Sequence, residues 1–404
     1  MTSNLQFEVT SFPLSDYQFK LGEGSTNPFT HMVFTLPLLT LLTLLFHRCA
    51  SQDQLLRYRG RHYLGKHSGT KLVWSSTGVA CHVHNTTSVQ VSLTVPSHGV
   101  RLAVRLNDTV RVTRITVKKQ KSEHPQQISL VDDLDPRFSH VVEFIRVTEA
   151  SDGAMTFYGF VLDQNGVHRP TPSFSERRLE FIGDSDTAGW CVDGTPNGGD
   201  GDQNKIQDST ETWAGQIATA LNVSDVQVEA VSGWGVTKHS TPIQPLLPYA
   251  DGLHAKHLWD PSISWIPQGI LVLIGPNDYN NLKHVPTDQT FIAKYTELLQ
   301  YAETRYGRAS VAQGVTPPIV IHVCGGSING LLPCPNIFLA STAWNKNSTR
   351  VVKSAFVSIS NATWKEINKG TRHFNGCDGH YNKEGHGLLM NDVVENVRKI
   401  LNWP

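Results

Sequence analysis

"FIGDSDTAGW", residues 181–190, begins inside an apolar run and turns sharply at a glycine. Leu179 to Ile182 have the pattern of a buried strand, Ser185 follows the turn, and Gly189 comes soon after. A serine at the end of a strand is either a nucleophile held at the edge of a sheet or an ordinary turn residue. The stretch alone fits both interpretations.

The second half of the chain, from about residue 176, repeats this pattern of short apolar runs. "VQVEAVSG", "GILVLIGPND" and "PPIVIHVCGG" each end in a glycine-bearing loop, and helical patterns such as "ETWAGQIATAL" and "FIAKYTELLQYAETRYG" lie between them. Buried strands that alternate with amphipathic helices predict an α/β fold with a doubly wound parallel sheet. Ligands bind at the carboxyl ends of such strands.

The first half has a different period. Val89, Val91, Leu93 and Val95 alternate with polar residues, and similar runs continue to about residue 175. This alternation predicts a small antiparallel β-sandwich. We therefore expect two domains, 52–175 and 176–404, with the boundary in the proline-bearing segment 168–178.

Composition excludes some classes of function. The 404 residues carry 35 basic and 35 acidic side chains, and this zero net charge argues against a nucleic-acid partner. Apolar residues make up 39% of the chain, which is typical of globular domains.

The N-terminal segment predicts secretion. An apolar stretch from Val33 to Phe46 follows Met32 and has the length of a signal-peptide core. We expect Met32 to be the true start, residues 1–31 to be dispensable, and cleavage to follow Ser51. The alternative is an uncleaved anchor that leaves the protein attached to a membrane.

Sequons and cysteines fit the same route. Five Asn-x-Ser/Thr sequons begin at Asn85, Asn107, Asn222, Asn347 and Asn361. Of the six cysteines, Cys49 leaves with the signal, Cys324 and Cys334 can close a short loop, and Cys81 is the expected free thiol.

Four loops together favour the nucleophile interpretation. Besides Ser185, "VSGWG" offers the backbone N–H of Gly233, "GPND" offers the amide of Asn277, and "CDGHYNKEGH" offers His380 with Asp378 before it. Serine ester hydrolysis needs a hydroxyl, a base and donors for the oxyanion. Each residue alone has an ordinary turn or surface role as its alternative, but all four follow strands or occupy the last loop.

These four blocks resemble those of the SGNH (GDSL-type) hydrolases, and the two-domain layout resembles carbohydrate esterase family 2. "YRGRHY" at 58–63 is similar to the opening of that family's jelly-roll domain, "LEFIGDSDTAG" to its nucleophile block and "CDGHYNKEGH" to its ending. The resemblance covers roughly residues 55–402.

The resemblance implies a role for each matching residue. Ser185 is the nucleophile, His380 the base and then the acid, and Asp378 the group that orients His380. The backbone N–H groups of Ser185 and Gly233 and the side chain of Asn277 form the oxyanion hole. No metal or organic cofactor is implied, and the oligomeric state is left open.

Two features depart from the family pattern. Asp186 follows the nucleophile where the family has an apolar residue, and we expect its carboxylate to bond outward. Residues 191–211 are a glycine- and aspartate-rich insertion, for which we expect a flexible solvated loop rather than a calcium site.

Other residues beside the motifs have expected roles. If the two catalytic loops meet, Cys191 and Cys377 can be bonded. Trp234, Trp190 and Tyr279 are candidates for a sugar-binding platform, with core packing as the alternative. The second histidine of the last motif, His386, is expected to pack or cap in the final helix.

The resulting hypothesis is a secreted serine esterase that deacetylates a carbohydrate. The resemblance implies a polysaccharide of the xylan or mannan type, with sugar 6-hydroxyl esters favoured. The alternatives are a short-chain lipid or general esterase on the same fold, a catalytically silent glycan-binding protein and, less favoured, an acetyltransferase.

Overall fold

A computed structural model describes residues 55–65, 69–107, 112–121, 124–196, 202–238, 240–260, 265–324, 333–367 and 373–404. They all fall in one compact unit, Ala50–Pro404. The predicted signal segment and start site lie outside the described residues. Within the described ranges, no helix combines the length and apolar character needed to cross a membrane.

The first half is built from two facing antiparallel sheets. One has the order β1-β4-β9-β6-β7, with β11 also paired to β4, and the other has the order β2-β3-β10-β5-β8. The strands are β1 (Leu56–Arg59), β2 (His62–Leu64), β3 (Thr70–Leu72), β4 (Gly78–His84), β5 (Val89–Thr94), β6 (Val100–Leu106), β7 (Val112–Val117), β8 (Gln126–Val131), β9 (Ser139–Arg146), β10 (Met155–Leu162) and β11 (Val167–Arg169).

The alternation in the sequence matches the core of this sandwich. Val89, Val91 and Leu93 are fully buried, and they share one apolar cluster with Phe144 of the opposing sheet and Phe157 of their own. The predicted β-sandwich is confirmed.

The second half contains the predicted parallel sheet, with the order β13-β12-β18-β19-β20. Its strands are β12 (Arg178–Gly183), β13 (Asp225–Ala230), β18 (Gly269–Leu273), β19 (Ile319–Cys324) and β20 (Lys353–Ser358). Four short strands lie between β13 and β18 in the sequence and form two separate two-stranded sheets. One pairs β14 (Trp234–Gly235) with β15 (Thr241–Pro242), and the other pairs β16 (Tyr249–Asp251) with β17 (Lys256–Leu258).

Helices cover both faces of this sheet. They are α1 (Ser185–Ala188), α2 (Gln203–Ile206), α3 (Trp213–Ala220), α4 (Asp288–Ala302), α5 (Arg308–Gln313), α6 (Cys334–Lys346), α7 (Asn361–Ile367) and α8 (Lys383–Ile400). Phe181 packs into the cluster on one face, with α3 and α8, while its neighbour Ile182 packs into the other, with α4 and α6. The doubly wound α/β fold is therefore confirmed. The exact domain boundary stays a prediction, since β11 ends at Arg169 and β12 begins at Arg178.

A buried ion cluster joins the two halves. Arg61 of the sandwich is fully buried, and its guanidinium lies 2.6 Å from Glu180 on β12 and 2.9 Å from Glu229 on β13. Removing one partner of such a cluster leaves an unpaired buried charge, which typically costs about 3–5 kcal/mol of stability. The cluster fixes the sandwich against the two strands that lead to Ser185 and Gly233.

The insertion at 191–211 forms a second seam between the halves. In its described parts, 191–196 and 202–211, Asp208 is fully buried and lies 2.5 Å from Arg114 of β7, while Asp193 lies 2.6 Å from Arg101 of β6. The expectation of a solvated loop is wrong for these parts, because the acidic residues pair with arginines from the distant sandwich sheet.

Candidate active site

The nucleophile turn forms where β12 ends. Asp184 accepts a hydrogen bond from the backbone N–H of Asp186 and so caps α1, of which Ser185 is the first residue. Gly183 is required there because any side chain would collide with Thr187 of the same turn. Ser185 is therefore held, largely buried, at the carboxyl end of a central strand.

The last loop of the chain brings His380 to this serine. The loop is closed by backbone bonds from His380 N–H to Cys377 O at 2.9 Å and from Gly376 N–H to His380 O at 2.9 Å. Nε2 of the imidazole lies 2.7 Å from the Oγ of Ser185. Residues 195 positions apart in sequence thus form a nucleophile–base pair at hydrogen-bond distance.

A disulfide holds the two loops together. Cys191 and Cys377 are bonded with their Cα atoms 5.1 Å apart, as expected from the sequence. Cys324 is also bonded to Cys334, and Cys81 is free and buried, so both of those predictions are confirmed.

Gly233 occupies an open position beside the nucleophile turn. Its φ is +78°, which favours glycine, and a Cβ added there would meet nothing within 4 Å. The position next to Gly233 where a side chain would lie is therefore open, and the role of its backbone N–H as an oxyanion donor stays a prediction.

Asn277 is held by two hydrogen bonds. Its Nδ2 donates to Trp234 O at 2.9 Å and to Asp184 Oδ2 at 3.2 Å, so the side chain joins the Gly233 loop to the nucleophile turn. The neighbouring Asp278 is buried and accepts from the backbone N–H groups of Val236 and Thr237 at 2.9 and 2.8 Å. Asp278 thus fixes the position from which Asn277 reaches the site.

The carboxylate that we expected to orient His380 does not hydrogen-bond to its imidazole. Asp378 is exposed, and Nδ1 of His380 is buried without a hydrogen-bond partner among the residues that the structure describes. The expected bond between them is not formed.

Asp186 turns toward the histidine loop instead of outward. The backbone N–H of Tyr381 hydrogen-bonds to its carboxylate, and the charge of His380 acts on it. Desolvation raises the pKa of Asp186, while the positive charge of His380 lowers it. The pKa of Asp184 is raised well above its ordinary value, first by desolvation and then by the charge of Asp186. The negative charge of Asp186 therefore disfavours ionisation of Asp184 on the other side of the nucleophile.

His386 is fully buried in α8 and packs edge-on against Tyr381, with ring centroids 5.8 Å apart. Burial lowers the pKa of its imidazole to about 3, so it stays neutral. It is a packing residue, as expected.

The three aromatic candidates lie in different surroundings. Trp234 and Trp190 are half-buried next to the motif residues. Tyr279 is only 4% exposed, with its ring 5.4 Å from that of Phe291 and its hydroxyl bonded by Asn336. Tyr279 is therefore a core residue, and Trp234 and Trp190 are the remaining candidates for a sugar-binding platform.

Sequence reasoning missed one residue at this site. Glu149 of the sandwich contacts Ser232, the neighbour of Gly233. In the sequence, Glu149 is only an acidic residue in the turn after β9. Nothing in that pattern indicates that it contacts a residue 83 positions away.

Within the described ranges, one group of three side chains has the spacing of metal ligands: Cys191, Cys377 and Asp378. The two sulfurs are bonded to each other and are not thiolates. This donor set does not fit a metal ion.

Comparison with known proteins gives two kinds of match. Residues 58–172 match the family model described as carbohydrate esterase 2 N-terminal. The chain is 29% identical over 269 residues to the cellulase/esterase CelE of Acetivibrio thermocellus, covering 64% of this chain and 31% of that protein. It is 25% identical over 240 residues to an acetylxylan esterase / glucomannan deacetylase of Cellvibrio japonicus, covering 52% and 62%. The chain thus spans less than two thirds of either relative.

Solved structures share the fold over most of the chain. A family two carbohydrate esterase from Clostridium thermocellum in complex with cellohexaose has a TM-score of 0.69 at 21% identity, covering 86% of this chain and all of that one. A family two esterase from Cellvibrio japonicus has a TM-score of 0.67 at 18% identity, covering 87% and 96%. The shared fold therefore includes both the sandwich and the parallel sheet.

Proposed function

We propose, from the resemblance of this chain to the family 2 carbohydrate esterases, that it is a serine esterase that removes acetyl groups from carbohydrate. One observation carries the proposal: Ser185 Oγ lies 2.7 Å from His380 Nε2. A hydroxyl within hydrogen-bond reach of an imidazole is the arrangement that activates serine for acyl transfer.

In the first step, Ser185 Oγ attacks the carbonyl carbon of the acetyl ester and its proton passes to Nε2 of His380. The negative charge moves to the carbonyl oxygen, where the backbone N–H groups of Ser185 and Gly233 and the amide of Asn277 receive it. The longer bond of Asn277, to Asp184 at 3.2 Å, is the one that the oxyanion replaces. The intermediate collapses as the imidazolium protonates the departing sugar oxygen.

The second step releases acetate. His380 takes a proton from water, the resulting hydroxide attacks the acetyl-enzyme, and the proton then returns to Ser185 Oγ. Ester hydrolysis by this route consumes one water and regenerates both side chains.

The family resemblance implies that Asp378 orients His380, but no described residue bonds Nδ1 of the imidazole, and we propose Asp186 as the carboxylate whose charge acts on it. Asp378 is exposed, whereas Asp186 interacts with both the imidazole charge and the Tyr381 backbone. Asp186 is accordingly the carboxylate that stabilises the imidazolium in this proposal.

The proposed substrate is an acetylated polysaccharide of the xylan or mannan type. The one relative named for acetylxylan and glucomannan, and the related structure that holds cellohexaose, support β-linked sugars. The half-buried rings of Trp234 and Trp190 beside the nucleophile supply apolar faces suited to sugar rings.

Secretion through a signal beginning at Met32 is part of the proposal. Two disulfides lie among the described residues, and all five sequon asparagines are exposed. Both features suit an oxidising, glycosylating compartment. N-terminal sequencing of the protein secreted by a eukaryotic host tests this part: a mature chain that begins near Gln52 supports it, and a retained Met1 or Met32 contradicts it.

The test of the activity is acetate release from acetylated xylan and acetylated glucomannan by wild type, Ser185→Ala and an exposed-serine control, Ser97→Ala. Loss of a serine nucleophile costs on the order of a millionfold in kcat. We expect no acetate from Ser185→Ala and unchanged release from Ser97→Ala. Binding to the polymers without release by the wild type would support the glycan-binding alternative.

A panel of acetyl to octanoyl esters separates the carbohydrate esterase from the lipid or general esterase. We expect kcat/KM to fall steeply beyond acetyl. A maximum at longer chains would favour the lipid esterase.

A further inference from the structure

A buried carboxylate of the sandwich reaches the loop that carries Gly233. Glu149 lies just after β9 and is 1% exposed. One carboxylate oxygen, Oε2, accepts from the backbone N–H of Ser232 at 3.1 Å, and the other, Oε1, accepts from the hydroxyl of the same serine. Both donors belong to the residue directly before Gly233.

Glu149 is itself held firmly. Its backbone N–H donates to Gln207 at 2.7 Å, and its carbonyl accepts from the fully buried guanidinium of Arg146. Ser151 adds a third donor to the carboxylate, 3.0 Å from Oε2. Because Glu149 is held in place in this way, its carboxylate fixes the position of Ser232.

The same part of the sandwich also packs against the loop. Val231 shares an apolar cluster with Val73, Trp74 and Ala150 of the sandwich. A backbone bond from Trp234 N–H to Val231 O at 3.3 Å closes the turn around Gly233. The two residues before Gly233 are thus both fixed by the sandwich, one by packing and one by hydrogen bonds.

We infer that Glu149 is a positioning residue for the oxyanion loop, so that the sandwich forms part of the catalytic machinery. This inference rests on the proposed function. Oxyanion donors act only when they are held at hydrogen-bond distance from the developing charge. A displacement of about 1 Å costs roughly a hundredfold in rate.

The experiment compares Glu149→Ala, Glu149→Gln and a control, Asp133→Asn, at an exposed acidic residue of the sandwich, in the full chain. The Gln side chain keeps an oxygen for the Ser232 N–H and an amide that donates to the Ser232 hydroxyl. The measurements are kcat and KM for an aryl acetate and the inhibition constant of a boronic acid. The tetrahedral boronate adduct on serine puts an oxygen where the oxyanion forms.

We expect Glu149→Ala to lower kcat by roughly 10- to 100-fold with KM changed less than about threefold, and to weaken boronate inhibition by a similar factor. Glu149→Gln should stay within about threefold of wild type, the scale of a retained hydrogen bond, and so should Asp133→Asn, whose side chain is exposed. If Glu149→Ala does not fold, Glu149→Asp replaces it, since a shorter side chain cannot reach Ser232 and should show the same fall in kcat.

Two results would overturn the inference: wild-type kcat in a folded Glu149→Ala, or an equal fall in Asp133→Asn. Wild type and Ser185→Ala are assayed alongside. An inactive wild type contradicts the proposed function, whereas an active wild type with an indifferent Glu149 contradicts only this inference.

Discussion

At the scale of single residues, the unusual feature of the site is the pair of carboxyl groups on either side of Ser185. Asp184 caps the nucleophile helix and bonds Asn277, while Asp186 faces His380 and Tyr381. The raised pKa of both groups comes mainly from desolvation. Of the two, only Asp186 has a pKa that is lowered by the charge of His380.

We predict that Asp186→Asn lowers kcat by roughly 10- to 100-fold, whereas Asp378→Asn stays within about threefold of wild type. The loss in Asp186→Asn is expected because the imidazolium formed in the transition state loses a carboxylate that stabilises its charge. Kinetics from pH 4 to 9 check both statements. A large loss in Asp378→Asn with an active Asp186→Asn would return the triad role to Asp378.

At the scale of elements, the site is made by loops that depend on one another. Asp278 ties the β18 loop to the β14 loop through four hydrogen bonds, and the Cys191–Cys377 disulfide ties the nucleophile and histidine loops. Because the carboxyl ends of parallel strands meet at one edge, these loops could be predicted to converge.

The two disulfides provide a matched pair for testing this dependence. Cys191–Cys377 closes 186 residues and Cys324–Cys334 closes 10. The loop-entropy relation gives stabilisations of about 5 and about 3 kcal/mol respectively. Replacing both cysteines of the first pair by serine should therefore destabilise the protein more and also lower kcat, while replacing the second should leave kcat near wild type.

Denaturant unfolding of the two double variants measures the loss of stability, and acetyl-ester kinetics measure the loss of kcat. Equal losses of kcat in both would contradict a specific role for the Cys191–Cys377 bond.

The sequence predicts the secondary-structure elements better than it predicts which residues contact one another across them. Ser185, Gly233, Asn277 and His380 follow strand ends or lie in the last loop, so a local pattern is enough to single them out as candidates. The insertion 191–211 reads as solvated from sequence because the partner of its Asp208, Arg114, lies on a strand of the other domain. Tyr279 looked like a platform because its neighbour Asn277 faces the site, yet its own ring turns into the core.

At the scale of the whole molecule, the sandwich and the parallel sheet are joined by buried polar groups rather than by an apolar seam alone. Arg61 bonds to β12 and β13, and Glu149 bonds the loop after β13. Buried charges of this kind make stability depend on pH.

The pKa of Glu149 predicts the direction in which the stability of the protein changes with pH. Desolvation raises its folded-state pKa, and the bonds from Ser232 and Ser151 oppose the rise. Its contribution to stability is therefore complete below the unfolded-state pKa of about 4.3 and is lost as pH rises through the folded-state pKa. The stability of Glu149→Gln relative to wild type should increase from pH 4.5 to pH 8. Urea unfolding at both values checks this, and a decrease would mean that the folded-state pKa lies below its ordinary value.

The most direct measurement for the account as a whole is covalent labelling of the serine. Wild-type protein is treated with a fluorophosphonate, digested and mapped by mass spectrometry, with His380→Ala and Ser185→Ala as controls. We predict one phosphonylated site, on the peptide that contains Ser185, with labelling slowed in His380→Ala and absent in Ser185→Ala. Ester hydrolysis that persists with Ser185 unlabelled, or a label on another serine, would contradict the assignment of Ser185 as the nucleophile.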